Sequence, residues 1–151
     1  MTNDDATDAG ADAQIDLERF VSASADTHER ALAELRAGRK TSHWMWWEFP
    51  QLLLGSSPTS VAYAVHGLPE ARAYLAHPVL ARRWRENCEA LLGQPSRDAR
   101  TVFGGIDAAK LRSSATLFAA AGDEQARQVL QEFFDGRADA STTDLLDRAA
   151  D

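Results

Sequence analysis

The sequence contains one cysteine, Cys88, in 151 residues. A single thiol excludes an internal disulfide and a metal site built from several thiolates, and no histidine has the i, i+4 partner of a zinc motif. No apolar run approaches the ~20 residues of a transmembrane helix, and the N-terminus lacks the basic start and apolar run of a secretory signal. We therefore expect a cytoplasmic protein with no membrane partner, no metal and no cofactor.

Basic residues are outnumbered as well. The chain has 16 Lys and Arg against 23 Asp and Glu, and its formal net charge is −7. Binding to nucleic acid needs a basic face that neutralises phosphates, so this balance argues against a nucleic-acid partner. Four of the acids lie in residues 1–14, which contain no basic residue: Asp4, Asp5, Asp8 and Asp12. We predict a disordered acidic tail over residues 1–14 and a single helical domain over residues 15–151.

Strand patterns are nearly absent, and helix patterns fill the chain. The one weak alternating stretch covers residues 60–65. Elsewhere, apolar residues recur at three- and four-residue steps, with Asp, Pro and Gly at the positions where helices begin and end. The first such helix has Asp16 as its N-cap and stops at Gly38. The pattern predicts an all-α protein, a single compact domain of about seven or eight short helices.

Local signals place the later helices. Proline suits the first turn of a helix, and Ser or Asp suits its N-cap. On this basis, helices are predicted to begin at Ser57, Pro69, Pro78, Asp107, Asp123 and Ser141. The helix at Ser57 is predicted to reach residue 67, and Ser141 with Asp144 resembles a capping box. A further short helix is predicted over residues 96–103.

Tryptophan is concentrated in residues 38–51, GRKTSHWMWWEFPQ, which we call the tryptophan segment. It holds three of the four tryptophans of the chain: Trp44, Trp46 and Trp47. Adjacent side chains of a helix lie about 100° apart, so one helical face cannot hold all three rings. Flat rings beside Arg39, Lys40 and His43 suit a ligand with a planar ring and an anionic group. The alternative is that the rings fill the core.

A second polar pattern lies in residues 103–118, FGGIDAAKLRSSATLF, which we call the FGG segment. Lys110 precedes Ser113 and Ser114 by about one helical turn, so those hydroxyls lie on or beside the face of the lysine. A glycine pair, an acid and then lysine and hydroxyl groups near a helix start could bind phosphate or carboxylate. Alternatively, the serines pack between helices and the lysine is solvated. The chain has only two lysines, and each segment contains one of them.

Together the two segments predict a pocket that binds or hydrolyses a small anionic ligand with a planar ring, such as a nucleotide or an ADP-ribose-like molecule. The candidate ligand-binding residues are Arg39, Lys40, Trp44, Trp46, Gln51, Lys110, Ser113 and Ser114. The candidate catalytic residues are His43, Glu48, His77 and Asp107. In this hypothesis the histidines move a proton and the carboxylates serve hydrolysis. His77 also suits a capping role before Pro78.

Two other functions fit the same residues. The chain could be a protein-interaction module in which Trp44, Trp47 and Phe49 form an exposed patch. Both segments could instead have a purely structural role. The sequence leaves open whether the protein is an enzyme, and it does not indicate an oligomeric state.

The chain resembles a known family in several blocks that follow one another in order. The tryptophan segment, ARAYLAHPVL and the D-x-x-KLRSS-x-TLF part of the FGG segment are similar to the signature blocks of DUF1810, a family of small uncharacterised proteins of which some carry the name calpastatin. The resemblance runs from about Leu17 to Leu146. It implies a mainly helical single domain and brings no established activity, substrate or cofactor. The chain departs from the family pattern at Trp47 and Glu48, and it has His28 near the usual Tyr.

Overall fold

A computed structural model describes residues 15–150, so the acidic tail predicted over residues 1–14 lies outside the described residues. Within this range the chain forms nine helices and no strand: α1 (Glu18–Ala37), α2 (Met45–Glu48), α3 (Pro58–Ala62), α4 (Leu68–Ala76), α5 (Pro78–Gly93), α6 (Ala99–Phe103), α7 (Gly105–Ala120), α8 (Glu124–Phe134) and α9 (Ala140–Ala150). The all-α prediction is confirmed. The count exceeds the predicted seven or eight because the one-turn helix α2 is too short to show a period.

Most helix ends lie where glycine or proline predicted them. Gly38 ends α1 in the left-handed region, with φ 74° and its N–H bonded to the carbonyl of Leu35. Pro78 occupies the first turn of α5. The Nδ1 atom of His77 accepts the N–H groups of Val79 and Leu80. The capping role of His77 is therefore what the structure shows.

The N-caps predicted for α1 and α7 are wrong. Leu17 rather than Asp16 precedes α1, and it makes no side-chain cap. The backbone oxygen of Asp16 instead accepts a hydrogen bond from Arg19. Gly104 precedes α7, so Asp107 lies inside the first turn of that helix. At that position the carboxylate of Asp107 pairs with Lys40 and Lys110 instead of capping the helix.

The shorter predicted elements also begin or end at other residues. The carboxylate of Asp139, rather than the hydroxyl of Ser141, accepts the N–H of Thr142 at 2.9 Å, so the predicted capping box is wrong. Asp98 caps α6, which begins three residues later than predicted. α3 ends before Tyr63, because the following chain turns into an isolated bridge between residues 52 and 65.

One hydrophobic core joins the helices. α7 packs against α4, α6, α8 and α9, and α5 packs against α1, α4 and α8. An aromatic cluster links these helices to the tryptophan segment: Trp44, Phe49, Tyr74, Trp84, Phe103 and Phe118. The ring centroids of Phe49 and Phe103 lie 6.0 Å apart with an edge-to-face geometry that aromatic pairs favour. This packing holds the tryptophan segment against the start of the FGG segment. None of the helices in residues 15–150 combines the length and apolarity of a membrane span.

Candidate functional site

The tryptophan segment and the FGG segment meet at one carboxylate. The backbone N–H of Lys40 donates to the carbonyl of Val102 at 2.7 Å, which ties the chain after α1 to α6. The ammonium of Lys40 lies 2.8 Å from Oδ2 of Asp107, and the ammonium of Lys110 lies 3.3 Å from Oδ1 of the same side chain. The two lysines of the chain are therefore neighbours across a shared acid.

Each ammonium also lies over an indole ring. Nζ of Lys40 is 4.9 Å from the ring centroid of Trp44, and Nζ of Lys110 is 3.9 Å from that of Trp46. Both distances are within the range of cation–π attraction. We call Lys40, Trp44, Trp46, Asp107 and Lys110 the lysine cluster. The side chain of Lys40, the inner lysine, is 6% exposed, and that of Lys110, the outer lysine, is 22% exposed.

Glu34 holds the buried half of this cluster in place. Its Oε1 atom accepts the indole N–H of Trp44 at 2.9 Å, and the same carboxylate accepts from Thr41 and Ser42. Burial alone would raise the pKa of this carboxyl, but hydrogen bonds from these three residues lower it to about 2. The loop between α1 and α2 is thus fixed by an ionised carboxylate, and Lys40 adds a 2.6 Å bond to the carbonyl of Ser42.

A shallow depression of about 330 Å³ adjoins the cluster at Asp107. The start of α7 forms it, with no side-chain cap on the helix. Ile106 stands in its wall with 78% of its surface exposed, and the guanidinium of Arg100 lies within 3.5 Å of where a Cβ on Gly105 would be. The depression is therefore lined by free helix N–H groups, an apolar side chain and Asp107, with the guanidinium of Arg100 and the two lysines beside it.

Several predicted ligand-binding residues lie away from the surface. Trp44 is buried and therefore lines the core rather than a cavity. Ser113 and Ser114 are also buried; the first donates to the carbonyl of Ala109, and the hydroxyl oxygen of the second has no hydrogen-bond partner. Gln51 is buried too, and its backbone carbonyl accepts the N–H of residue 65. In this structure a ligand at the surface would not reach these four side chains.

The other candidates divide between the surface and a second cluster. Arg39 and His43 are exposed in the tryptophan segment, and Trp46 is partly exposed. Glu48 is 1% exposed and contacts α1 and α5, whereas Asp107 contacts the two lysines. The two carboxylates proposed for hydrolysis therefore belong to different hydrogen-bond networks.

Glu48 belongs to a buried chain of ionisable groups that the sequence did not reveal. Nδ1 of His28 lies 3.0 Å from Oε1 of Glu48, and Nε2 of the same ring lies 2.8 Å from Oε1 of Glu86. Glu48 also accepts from the hydroxyl of Thr27 at 2.8 Å and from the amide of Asn87 at 2.9 Å. We call Glu48, His28 and Glu86 the histidine clamp, because it joins α1, α2 and α5.

The charges of the histidine clamp support one another. Burial opposes a charged imidazole, but the hydrogen bonds that its N–H groups donate to Glu48 and Glu86, together with the charges of these carboxylates, raise the pKa of His28 above the ordinary 6.5. The hydrogen bond from His28 in turn lowers the pKa of Glu86. The sequence did contain one signal for this cluster. His28 is a polar residue in the apolar stripe of α1, and Asn87 is a polar residue in the apolar stripe of α5.

One groove adjoins the histidine clamp. Glu86 lines a groove of about 340 Å³ between α1 and α5, together with Arg36 and Glu89. In the part of the chain that the structure describes, no three His, Cys, Asp or Glu side chains are grouped so that they could hold a metal ion. The lysine cluster and the histidine clamp are therefore the two polar arrangements that the tryptophan segment joins, through Trp46 and Glu48.

Comparison with known proteins identifies the family. The sequence model of DUF1810, described as a protein of unknown function, matches residues 14–146. The fold is similar to the crystal structure of the conserved hypothetical protein Rv1873 from Mycobacterium tuberculosis, with a TM-score of 0.86 and 43% sequence identity over 89% of this chain and 98% of that chain. No protein with a curated description matches the sequence. The chain therefore belongs to the DUF1810 family, whose function is not known.

Proposed function

We propose that this protein binds a small anionic molecule with a planar ring where the tryptophan segment meets the FGG segment. The observation that carries the proposal is the convergence of both lysines on Asp107, each over an indole ring. Two ammonium groups and one carboxylate leave one positive charge in the lysine cluster, while the ionised Glu34 lies on its buried side against Trp44. In a chain of net charge −7, the partly exposed ammonium of Lys110 is the charge that would draw an anion to the site.

The surroundings of the cluster offer further contacts to such a ligand. Arg100 and the uncapped start of α7 add positive potential beside Asp107. The partly exposed ring of Trp46 and the side chain of Ile106 are apolar groups that a planar ring could touch. An anionic group would compete with Asp107 for the ammonium groups, while a ring would find apolar surface within the same few residues.

The burial of the aromatic residues favours this proposal over the interaction module. That alternative needs Trp44, Trp47 and Phe49 on the surface, but Trp44 and Phe49 are buried in the aromatic cluster. Trp47 alone is partly exposed, and its indole N–H donates to Thr27. We propose binding rather than hydrolysis, because Glu48 is enclosed and occupied by three hydrogen-bond donors.

The test is a thermal-shift and calorimetric screen with AMP, ADP-ribose, ribose 5-phosphate and inorganic phosphate. A ligand that binds only the folded state stabilises it by RT ln(1 + [L]/Kd), about 2.7 kcal/mol at a hundredfold excess over Kd. Lys110→Met keeps most of the side-chain length and removes the outer charge, so it should weaken the response at least tenfold. Arg127→Met removes an exposed cation on α8 and serves as the matched control. The proposal is wrong if no probe shifts the wild type, or if both variants respond alike.

A purely structural role for the two segments makes a different prediction. In that case the Lys110→Met variant changes only the stability of the free protein, and none of the four probes changes it in either protein. A response to inorganic phosphate alone, lost in Lys110→Met, would establish an anion site without a preference for a ring. Comparison of ribose 5-phosphate with AMP therefore tests the contribution of the planar group.

A further inference from the structure

We infer that protonated His28 is a positioning residue, which holds α2 and its tryptophans in place for the lysine cluster and makes their position depend on pH. The effect on ligand binding rests on the proposed function, whereas the effect on α2 does not. The inference starts from the geometry of the histidine clamp, in which both ring nitrogens of one imidazole face carboxylates.

The number of N–H donors on the imidazole ring distinguishes charged from neutral His28. An imidazolium has two N–H donors, but a neutral imidazole has one donor and one acceptor. With Glu48 at 3.0 Å and Glu86 at 2.8 Å, a neutral ring would set a nitrogen lone pair against a carboxylate oxygen. The two short contacts are therefore satisfied together only when His28 carries its second proton.

Burial makes the loss of that proton costly. Glu48 is 1% exposed and His28 is 5% exposed, so bulk water does not solvate the charge that remains. Deprotonation changes the net charge of the clamp from −1 to −2. When one partner of a buried pair is neutralised, the other charge is left unpaired. Such a charge destabilises the folded state strongly.

Other charged groups around the clamp do not replace the imidazolium. From α4, the hydroxyl of Tyr74 lies near Glu48, and burial together with that carboxylate raises its pKa well above the ordinary 10.0, so it stays neutral. Three nearby cations belong to α5, namely Arg82, Arg83 and Arg85. A fourth, Arg36 of α1, lines the groove beside Glu86. Arg82 and Arg85 act on Glu86, and Arg83 donates to Ser24 and to a backbone carbonyl of α1. Within residues 15–150, His28 is the cation that contacts Glu48.

The clamp acts on the lysine cluster through α2. Glu48 is the last residue of this helix, whose two middle residues are Trp46 and Trp47. The indole N–H of Trp47 donates to the hydroxyl of Thr27 at 2.9 Å, and that hydroxyl donates to Glu48 at 2.8 Å. Trp46, on the same turn, lies under the ammonium of Lys110. A weaker hold on Glu48 therefore loosens the helix that presents Trp46.

The direction of the pH effect follows from the raised pKa of His28. The stabilisation by the clamp is complete below the ordinary value of 6.5 and is lost as pH rises through the higher folded-state pKa. The pKa of Glu86 is lowered, so this carboxylate does not reverse the sign. The clamp thus holds α2 firmly below pH 6.5 and loses this hold above the raised pKa of His28.

The experiment is an NMR titration of the full chain without ligand. It follows the ring signals of His28 and the indole N–H signals, assigned with Trp46→Phe and Trp47→Phe. We expect a His28 midpoint above 6.5 and an indole signal of Trp47 that changes with the same midpoint. Glu86→Gln removes the partly exposed partner, and should lower the midpoint by about 1 pH unit because an opposite charge within ~4–6 Å shifts a pKa by that much or more. Glu29→Gln, at an exposed site on α1, is the matched control.

The results separate this inference from the proposed function. A His28 midpoint at or below 6.5, or tryptophan signals that do not follow it, would overturn the inference whatever the ligand screen shows. For a probe that binds, the Kd of the wild type should rise as the pH passes through the His28 midpoint. In His28→Gln the Kd should not change over the same pH range. If His28→Gln folds poorly, the added change Glu48→Gln should restore stability, because it removes the buried charge that lost its partner. Failure of that rescue also contradicts the inference.

Discussion

Asp107→Asn should destabilise the protein and at the same time tighten anion binding. The substitution keeps the size of the side chain and removes the charge that both lysines share. The folded state loses an ion pair at Lys40, while a ligand anion loses its competitor. A side chain that served only packing would not produce two effects of opposite direction.

The cost to stability can be estimated from the two contacts. Breaking a buried ion pair by removal of one partner costs about 3–5 kcal/mol, but Asp107 is 20% exposed, so water compensates part of the loss at this site. Lys40 also keeps the carbonyl of Ser42 and the face of Trp44, and the i, i+3 contact with Lys110 is worth only a few tenths of a kcal/mol. We expect a loss of about 2 kcal/mol, which lowers Tm by about 4–8 °C in a chain of this length.

The gain in binding follows from the charge of the cluster. Removal of the carboxylate changes its net charge from +1 to +2, and two unit charges a few ångströms apart near a protein surface interact by a few kcal/mol before screening by salt. We expect inorganic phosphate, or the best probe of the ligand screen, to bind about ten times more tightly, equivalent to about 1.4 kcal/mol.

Urea unfolding measures the first effect and isothermal titration calorimetry the second, with Asp144→Asn on the exposed side of α9 as control. Unchanged stability would show that Lys40 does not depend on Asp107. Loss of anion binding in Asp107→Asn would show that the carboxylate itself contacts the ligand, which contradicts a site made by the lysines.

Substitutions at three further positions test the elements that support the site. The pKa of Glu34 is about 2, against an ordinary 4.5. The stability that this carboxylate provides should therefore be complete above pH 4.5 and fall as the pH approaches 2. The urea midpoints measured at pH 7 and pH 3 should accordingly differ less in Glu34→Gln than in the wild type. His77→Ala should cost about 1 kcal/mol in urea unfolding, since it removes the N-cap of α5, and His77→Asn should recover most of it. Gly38→Ala should cost about 1–2 kcal/mol by the same assay, because φ is 74° and the new Cβ would lie 3.0 Å from Oε1 of Gln94.

The parts of the fold that were predictable from the sequence depend on short-range physics. Gly38 ends α1 because glycine adopts a left-handed conformation without a steric penalty. Pro78 begins α5 because its missing N–H would be unpaired in the first turn anyway. Asp123 caps α8 through its own carboxylate, which accepts the N–H of Ala126. Each signal is complete within a few residues, so no knowledge of the rest of the chain was needed.

The parts that were not predictable depend on contacts between distant residues. Asp107 looked like a cap because Asp is a good cap, but its charge is used by Lys40, which lies far from it in sequence. Ser113 and Ser114 looked accessible because they lie one turn after Lys110. α7 is enclosed by four neighbouring helices, so spacing along this helix does not distinguish a surface face from a buried one.

The histidine clamp was missed for a related reason. His28 lies in the apolar stripe of α1, at the three- and four-residue spacing of its buried face. This spacing indicates that a residue is buried, but it does not indicate which groups the residue contacts. Its role depends on Glu48 and Glu86, which belong to two other helices. His28 and Glu48 are in contact at 3.0 Å. A carboxylate inside a core needs a cation beside it, and the histidine provides one.

The energetics of the lysine cluster bear on why the protein keeps it. Two cations and one acid are expensive to remove from water, and apolar residues of similar volume at such a site are often as stabilising as the ion pair or more so. Packing alone therefore does not explain the 6% exposed ammonium of Lys40 over Trp44. The side chain of Lys40 is 6% exposed, whereas water still reaches that of Lys110, which is 22% exposed. In the proposed function, this arrangement provides a preorganised positive charge that receives an anion, and such preorganisation is what a binding site requires.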